Sequence, residues 1–124
     1  MEKKTKGQIE AKISETMMKF EKEFMGRGPE EAKTWILKDL ILVRLRGVLT
    51  PAEERLTKTP QGRELIKKLR MELIENTRNL LEKIIFDITQ VKVKGLHTDI
   101  STRSGERIIV FTLEENLEEK LTNT

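Results

Sequence analysis

The sequence predicts an α+β fold: an N-terminal helix, a β-hairpin, a long helical region and a second β-hairpin, forming an antiparallel sheet of about four strands with its helices on one face. Three observations predict it. Apolar residues alternate with a period of two around residues 35–45 and again around 91–113. They recur at three- and four-residue spacing in 9–24 and 65–88, the period of a helix. Two Thr-Pro pairs, Thr50-Pro51 and Thr59-Pro60, mark helix starts between these blocks. Two hairpins flanking a helix most simply close into one four-stranded antiparallel sheet covered by helices.

The first helix is placed at 6–24 by Ile9, Ile13, Met17, Phe20 and Phe24, which line one face while Lys and Glu fill the rest. Its polar face balances the two charges, which fits a core-facing helix better than one lying on a membrane surface. Gly26 follows as the cap, and Gly28-Pro29 forces a turning or extended backbone. In the first hairpin, Trp35, Ile36 and Leu37 precede Lys38-Asp39, a two-residue turn with Asp39 able to take a left-handed backbone; a single bent strand with a bulge at Asp39 is the alternative. Beyond it Ile41, Val43 and Leu45 alternate with Leu42, Arg44 and Arg46, so the strand is covered on one side.

Thr50-Pro51-Ala52-Glu53 is a capping box with proline at the first helical position, opening a short helix over 51–58. Thr59-Pro60 opens a second helix running to Thr89, with Gly62 in its first turn, where the helix cost of glycine is small. Its predicted core stripe is Leu65, Leu69, Leu73, Leu80, Ile84 and Ile88, broadened by Ile66, Leu81 and Ile85. A helix of about 28 residues spans roughly 42 Å, beyond the roughly 14 Å radius of gyration of such a domain. It therefore bends near Asn76 to Asn79, or protrudes toward a partner chain. Val91–Thr102 and Arg107–Leu113 are the last strands, joined by Arg103-Ser104-Gly105-Glu106. Residues 114–124 form an acidic helix or tail.

At 124 residues the whole chain is expected to be one domain, with its core over about 9–117. It has no cysteine, which excludes disulfides and thiolate metal sites. No signal peptide or membrane-length apolar run is present, so a cytoplasmic location without direct membrane insertion is expected. Charged residues make up 36% and nearly balance at +3, too little to argue for a specific nucleic-acid partner. Lys and Glu enrichment of this kind matches a heat-loving source. Aromatics are 4%, too few for stacking platforms.

No residue cluster specifies a reaction, and no catalytic, cofactor-binding or metal-binding residue is assigned. His97 is the single histidine and shares a strand face with Asp99, a general-base geometry. Yet no nucleophile accompanies it, and one histidine does not build a zinc site. Gly26-Arg27-Gly28-Pro29 is the nearest approach to a ligand loop: exposed N–H groups beside an arginine suit an anion, although phosphate-loop spacing is absent. Arg44, Arg46, Arg63 and Arg70 suit a basic patch, with pairing to Glu53 or Glu64 the simpler account.

Gly26-Arg27-Gly28-Pro29, Leu49-Thr50-Pro51 with Glu53, Gly62-Arg63-Glu64-Leu65 with Arg70, and further Asp99 and Phe111 together resemble the MpsC-like family. That family is described as a component of a Na+-translocating, membrane-potential-generating system. The likeness extends from about Ile9 to Leu117, with one departure: Lys38 stands where the family pattern has Gly before Asp39. The resemblance implies a small bacterial, non-enzymatic accessory or regulatory protein without a cofactor. It would act by protein–protein contact beside a membrane cation or inorganic-carbon transport system, at its cytoplasmic face or peripheral to the inner membrane, as a homo-oligomer, most simply a homodimer. The residues expected to carry contacts are Gly26, Arg27, Gly28 and Pro29 in the loop, with Glu53, Arg63 and Arg70. The alternative is a small-anion or nucleotide-sensing module using the same loop.

Overall fold

The computed structural model describes residues 4–122. Helix α1 (Lys6–Phe24) leads into strands β1 (Glu31–Leu37) and β2 (Leu40–Arg46). Short helix α2 (Pro51–Leu56) and long helix α3 (Pro60–Thr89) follow, then β3 (Val93–Ser101), β4 (Glu106–Leu113) and α4 (Leu117–Thr122). The strands form one antiparallel sheet in the order β1-β2-β4-β3, so the two hairpins join through their second strands. The α+β class and the element order are those predicted.

Local chemistry accounts for the element boundaries. Thr5 and Gln8 form a capping box at α1, and Thr50 and Glu53 form one at α2. Thr59 caps α3 through the Gly62 N–H. Gly26, at φ +93°, takes the chain out of α1 after the Met25 cap. The first hairpin has the expected two-residue loop, but the left-handed residue is Lys38 (φ 57°) and not Asp39. Lys38 occupies the first central position, which type II′ turns reserve for glycine. It is held there by α4, since Lys38 N–H donates to Glu118 Oε1 and Lys38 C=O accepts from Glu118 N–H.

The core lies between the helices and one sheet face. Ile41, Val43 and Leu45 of β2 and Ile109, Phe111 and Leu113 of β4 point into it, against Ile13 and Met17 of α1 and Ile66, Ile74, Leu81 and Ile85 of α3. The α1 helix also covers the β1 edge, where Glu10 accepts from the Ile36 N–H and Ser14 meets the Thr34 hydroxyl. Strand β3 begins and ends slightly inside its predicted limits, β4 begins one residue earlier than predicted and ends at Leu113 as predicted, and the acidic terminus is helical at 117–122.

The predicted core stripe of α3 is corrected. Among its members Leu65, Leu69 and Leu80 are exposed, at 56%, 49% and 37%, while Leu73, Ile84 and Ile88 are half-buried. The inward stripe lies next to it, on Gly62, Ile66, Arg70, Ile74, Leu81, Ile85 and Thr89. Apolar residues cover a wide arc of this helix, and docking on the sheet selects the part of the arc that also carries Arg70.

Candidate functional site

Three charged side chains stand in phase with the buried faces of their elements. Glu21 lies one helical turn after Met17 on α1, Arg70 lies between Ile66 and Ile74 on α3, and Arg107 precedes Ile109 and Phe111 on β4. They converge in the interior with Glu53 from α2, and Glu21, Arg70 and Arg107 are each no more than 2% exposed. Arg70 donates to Glu53 through Nε (2.9 Å) and Nη2 (2.6 Å), and Nη2 also donates to the Val48 carbonyl. Glu21 bridges the two arginines, 3.7 Å from Arg70 Nη1 and 3.3 Å from Arg107 Nε. Arg107 reaches the Thr98 hydroxyl on β3. The cluster is formally neutral, which is the condition for placing four charges inside a fold.

Burial pushes the Glu21 carboxyl above its usual range, because neither of its oxygens accepts a hydrogen bond. Burial likewise lowers the Arg107 guanidinium. Glu53 is also opposed by burial, but the Arg70 hydrogen bonds and the Thr50 N–H outweigh it and hold Glu53 below the usual carboxylate range. Arg70 Nη1 and Arg107 Nη2 have no hydrogen-bond partner, and these two arginines line a cleft of about 70 Å³ with Lys67, Met71, Thr98, Asp99 and Ile100.

The residues singled out in the sequence gather around the segment between β2 and α3. Arg27 donates to the Leu49 carbonyl (2.8 Å) and lies 3.7 Å from Glu30. Arg63 donates to the Thr57 carbonyl at the end of α2. Glu53 caps Thr50 and holds Arg70. Pro29 is buried, and a Cβ on Gly28 would meet only ordinary contacts from Lys22. Gly26, Arg27, Gly28 and Pro29 thus brace a joint between α1 and β1. Arg70 as a charged surface contact is corrected: it is 1% exposed and bonded inward to Glu53, the simpler pairing weighed from sequence. Glu21 and Arg107 were not singled out, although each interrupts an apolar stripe in phase, and that interruption is the signal for a buried charge.

His97 and Asp99 are exposed on the far side of the sheet. Asp99 accepts from the Ile100 N–H and pairs with Lys67 at 3.5 Å. The same side forms an open apolar face. Trp35 pairs with Leu42, Leu42 with Val110 and Val110 with His97, giving one row across all four strands. Leu37 and Ile108 flank the row, and Trp35 and Leu37 are 38% and 47% exposed. Lys33, Arg44 and Arg46 alternate with Glu31, Glu106 and Asp99 around it, and Arg44 bonds Glu106 at 2.7 Å.

The family described as Na+-translocating membrane potential-generating system (MpsC) matches residues 5–115. The chain belongs to the MpsC family. It is 47% identical over 119 residues to the uncharacterized protein YbcI of Bacillus subtilis (strain 168), covering 96% of each chain. It is 25% identical over 109 residues to the uncharacterized protein YrhF of the same organism, covering 87% of this chain and 89% of that one. No solved structure matches it. The MpsC match takes in the buried charge cluster and nearly all of the open sheet face, and no helix among the described residues is long and apolar enough to cross a membrane.

Proposed function

We propose that this chain is a non-enzymatic accessory protein of a membrane potential-generating system, binding a protein component of that system at its cytoplasmic face. The observation that carries the reading is the open sheet face built on Trp35, Leu42 and Val110, which the helices leave uncovered. A contiguous apolar surface that carries an exposed tryptophan is the composition of a protein-binding patch. Its rim mixes Lys33, Arg44 and Arg46 with Glu31, Glu106 and Asp99, which suits an amphipathic protein segment of mixed charge. An anionic lipid surface would ask for a cationic surplus instead. No helix among the described residues is long and apolar enough to cross a membrane, and this reading assigns the ion path to another component.

The test is size-exclusion chromatography with light scattering after mixing with detergent-solubilised membrane extract, followed by identification of what comigrates. The reading expects an integral membrane ion-translocating component with the wild type and its loss in Trp35→Asp and Leu42→Asp. Comigration that survives both substitutions, or no comigrating membrane component, overturns it.

The Arg70–Arg107 cleft favours a second reading, a small-anion sensor. About 70 Å³ is far below the roughly 300 Å³ at which small-molecule pockets begin, so it suits water or a small inorganic anion rather than a nucleotide. Calorimetric titration with bicarbonate, phosphate and chloride decides it: saturable heat abolished in Arg107→Met supports a sensor, and silent titrations remove it.

A further inference from the structure

Helix α3 carries two neighbouring apolar stripes, and the fold covers one fully and the other only in part, with Leu73, Ile84 and Ile88 against the core and Leu65, Leu69 and Leu80 exposed. Ile66, Ile74, Leu81 and Ile85 face the sheet. Leu65, Leu69, Leu73, Leu80, Ile84 and Ile88 run beside them and stay exposed or half-buried. The helix has 30 residues, about 45 Å of length, so the partly covered stripe is long enough for a helix–helix interface.

The spacing names the occupant. About the midpoint between Asn76 and Thr77 the stripe reads the same in both directions, pairing Leu73 with Leu80, Leu69 with Ile84 and Leu65 with Ile88 at equal distances. A two-fold axis through that midpoint sets α3 antiparallel to α3 of a second copy with each pair in contact. The exposed flank is symmetric about a point one residue farther on, between Thr77 and Arg78. Lys68, Glu72, Asn76, Asn79, Lys83 and Asp87 are all exposed. About that point Lys68 pairs with Asp87, Glu72 with Lys83 and Asn76 with Asn79, so across the Asn76–Thr77 axis each stands two residues, about 3 Å along the helix, from directly opposite its partner on the other copy. Glu75 and Arg78 are equidistant from the midpoint of the apolar stripe itself. A parallel pairing would set Lys68 on Lys68, Glu72 on Glu72 and Lys83 on Lys83, so flank charge selects the antiparallel arrangement.

We propose that α3 is a homodimerisation surface, on which a second copy of this chain packs its own α3 antiparallel about a two-fold axis at Asn76–Thr77. The contact is isologous, as a closed dimer requires. Its axes lie about 8–10 Å apart, and the polar centre at Asn76 fixes the register. Within one protomer Lys83 bonds Asp87 and Arg78 bonds Glu75, so these four charges enter the interface already partnered. The surface lies on the helix layer, opposite the open sheet face, and the sheet face remains free for another partner.

The chain contains no cysteine, so introduced ones report without background. Leu65→Cys and Ile88→Cys chains, treated separately with a short thiol crosslinker, should give no dimer, because identical positions sit about 35 Å apart in this register. After subunit exchange between the two variants, a covalent Leu65→Cys/Ile88→Cys dimer should form, and Asn76→Cys should link to itself. Self-linking of Leu65→Cys, or linking through Trp35→Cys in place of these sites, overturns the proposal. Light scattering on the full chain supplies the second measurement. The wild type should have the mass of two chains, and Leu69→Glu/Leu80→Glu should halve it with unchanged circular dichroism, since both positions are exposed. A monomeric wild type, or a dimer that survives the double variant, also overturns it.

Discussion

Arg70 is gripped by Glu53 through two hydrogen bonds, Nε to Oε2 at 2.9 Å and Nη2 to Oε1 at 2.6 Å, with the guanidinium almost wholly out of water. The fork matches the carboxylate, the strongest form of such a pair. Because Glu53 also closes the capping box on Thr50 and Arg70 also bonds the Val48 carbonyl, the pair ties α3, α2 and the exit of β2 together.

Removing one partner strands the other in the interior. Arg70→Met is expected to destabilise the fold by about 3–5 kcal/mol, read from urea unfolding. Arg70→Met combined with Glu53→Gln should cost less than the sum of the single changes, because no unpaired charge is left; an additive cycle would contradict the pairing.

The two carboxylates of the cluster give stability opposite slopes with pH. Glu21 is raised above the usual carboxylate value of 4.5, so its contribution is fully present below about that pH and is lost as pH rises through the folded value. Glu53 is lowered, so its contribution is present above that pH and is lost as pH falls. Measured by urea unfolding from pH 4 to pH 8, the stability of the wild type relative to Glu21→Gln should therefore decline with rising pH. A difference flat across that range would show that Glu21 ionises normally.

Gly62 is required by contact rather than by backbone angle. A Cβ there would lie 1.8 Å from the Leu56 carbonyl oxygen, where α2 turns into α3. Gly62→Ala is expected to destabilise by about 1–3 kcal/mol through overpacking, despite the roughly 1 kcal/mol that alanine gains over glycine inside a helix. A rise in melting temperature would show that the joint yields.

Lys38→Gly should act the other way. The left-handed conformation at φ 57° costs a non-glycine residue about 1–2 kcal/mol, and the extra chain entropy of glycine offsets about 0.4–1 kcal/mol of the relief. The backbone contacts to Glu118 do not use the lysine side chain. A small rise in melting temperature is expected; a fall would mean that the Lys38 side chain contributes more than its backbone strain removes.

Features encoded over a few residues were legible in the sequence: the Thr50–Glu53 capping box, the Thr59 cap, the two-residue hairpin, the glycine after α1 and the alternation of β2 and β4. Each depends on spacing within one or two turns or one strand. The candidate site was only half legible. Arg27, Glu53, Arg63 and Arg70 brace one segment, but that Arg70 points inward is not legible from its charge, which by itself suggests a side chain facing water.

By itself the sequence determined the order and type of the elements, the cap residues of α2 and α3 and the absence of thiol chemistry, because propensity, capping and alternation act locally. Only the tertiary structure decided which of two neighbouring apolar stripes on α3 meets the sheet, and that Glu21, Arg70 and Arg107 lie inside. The physical reason is that a charge enters a core only when its counter-charges arrive with it. Those partners come from α1, α2, α3 and β4, so their meeting exists only once the helices have docked on the sheet.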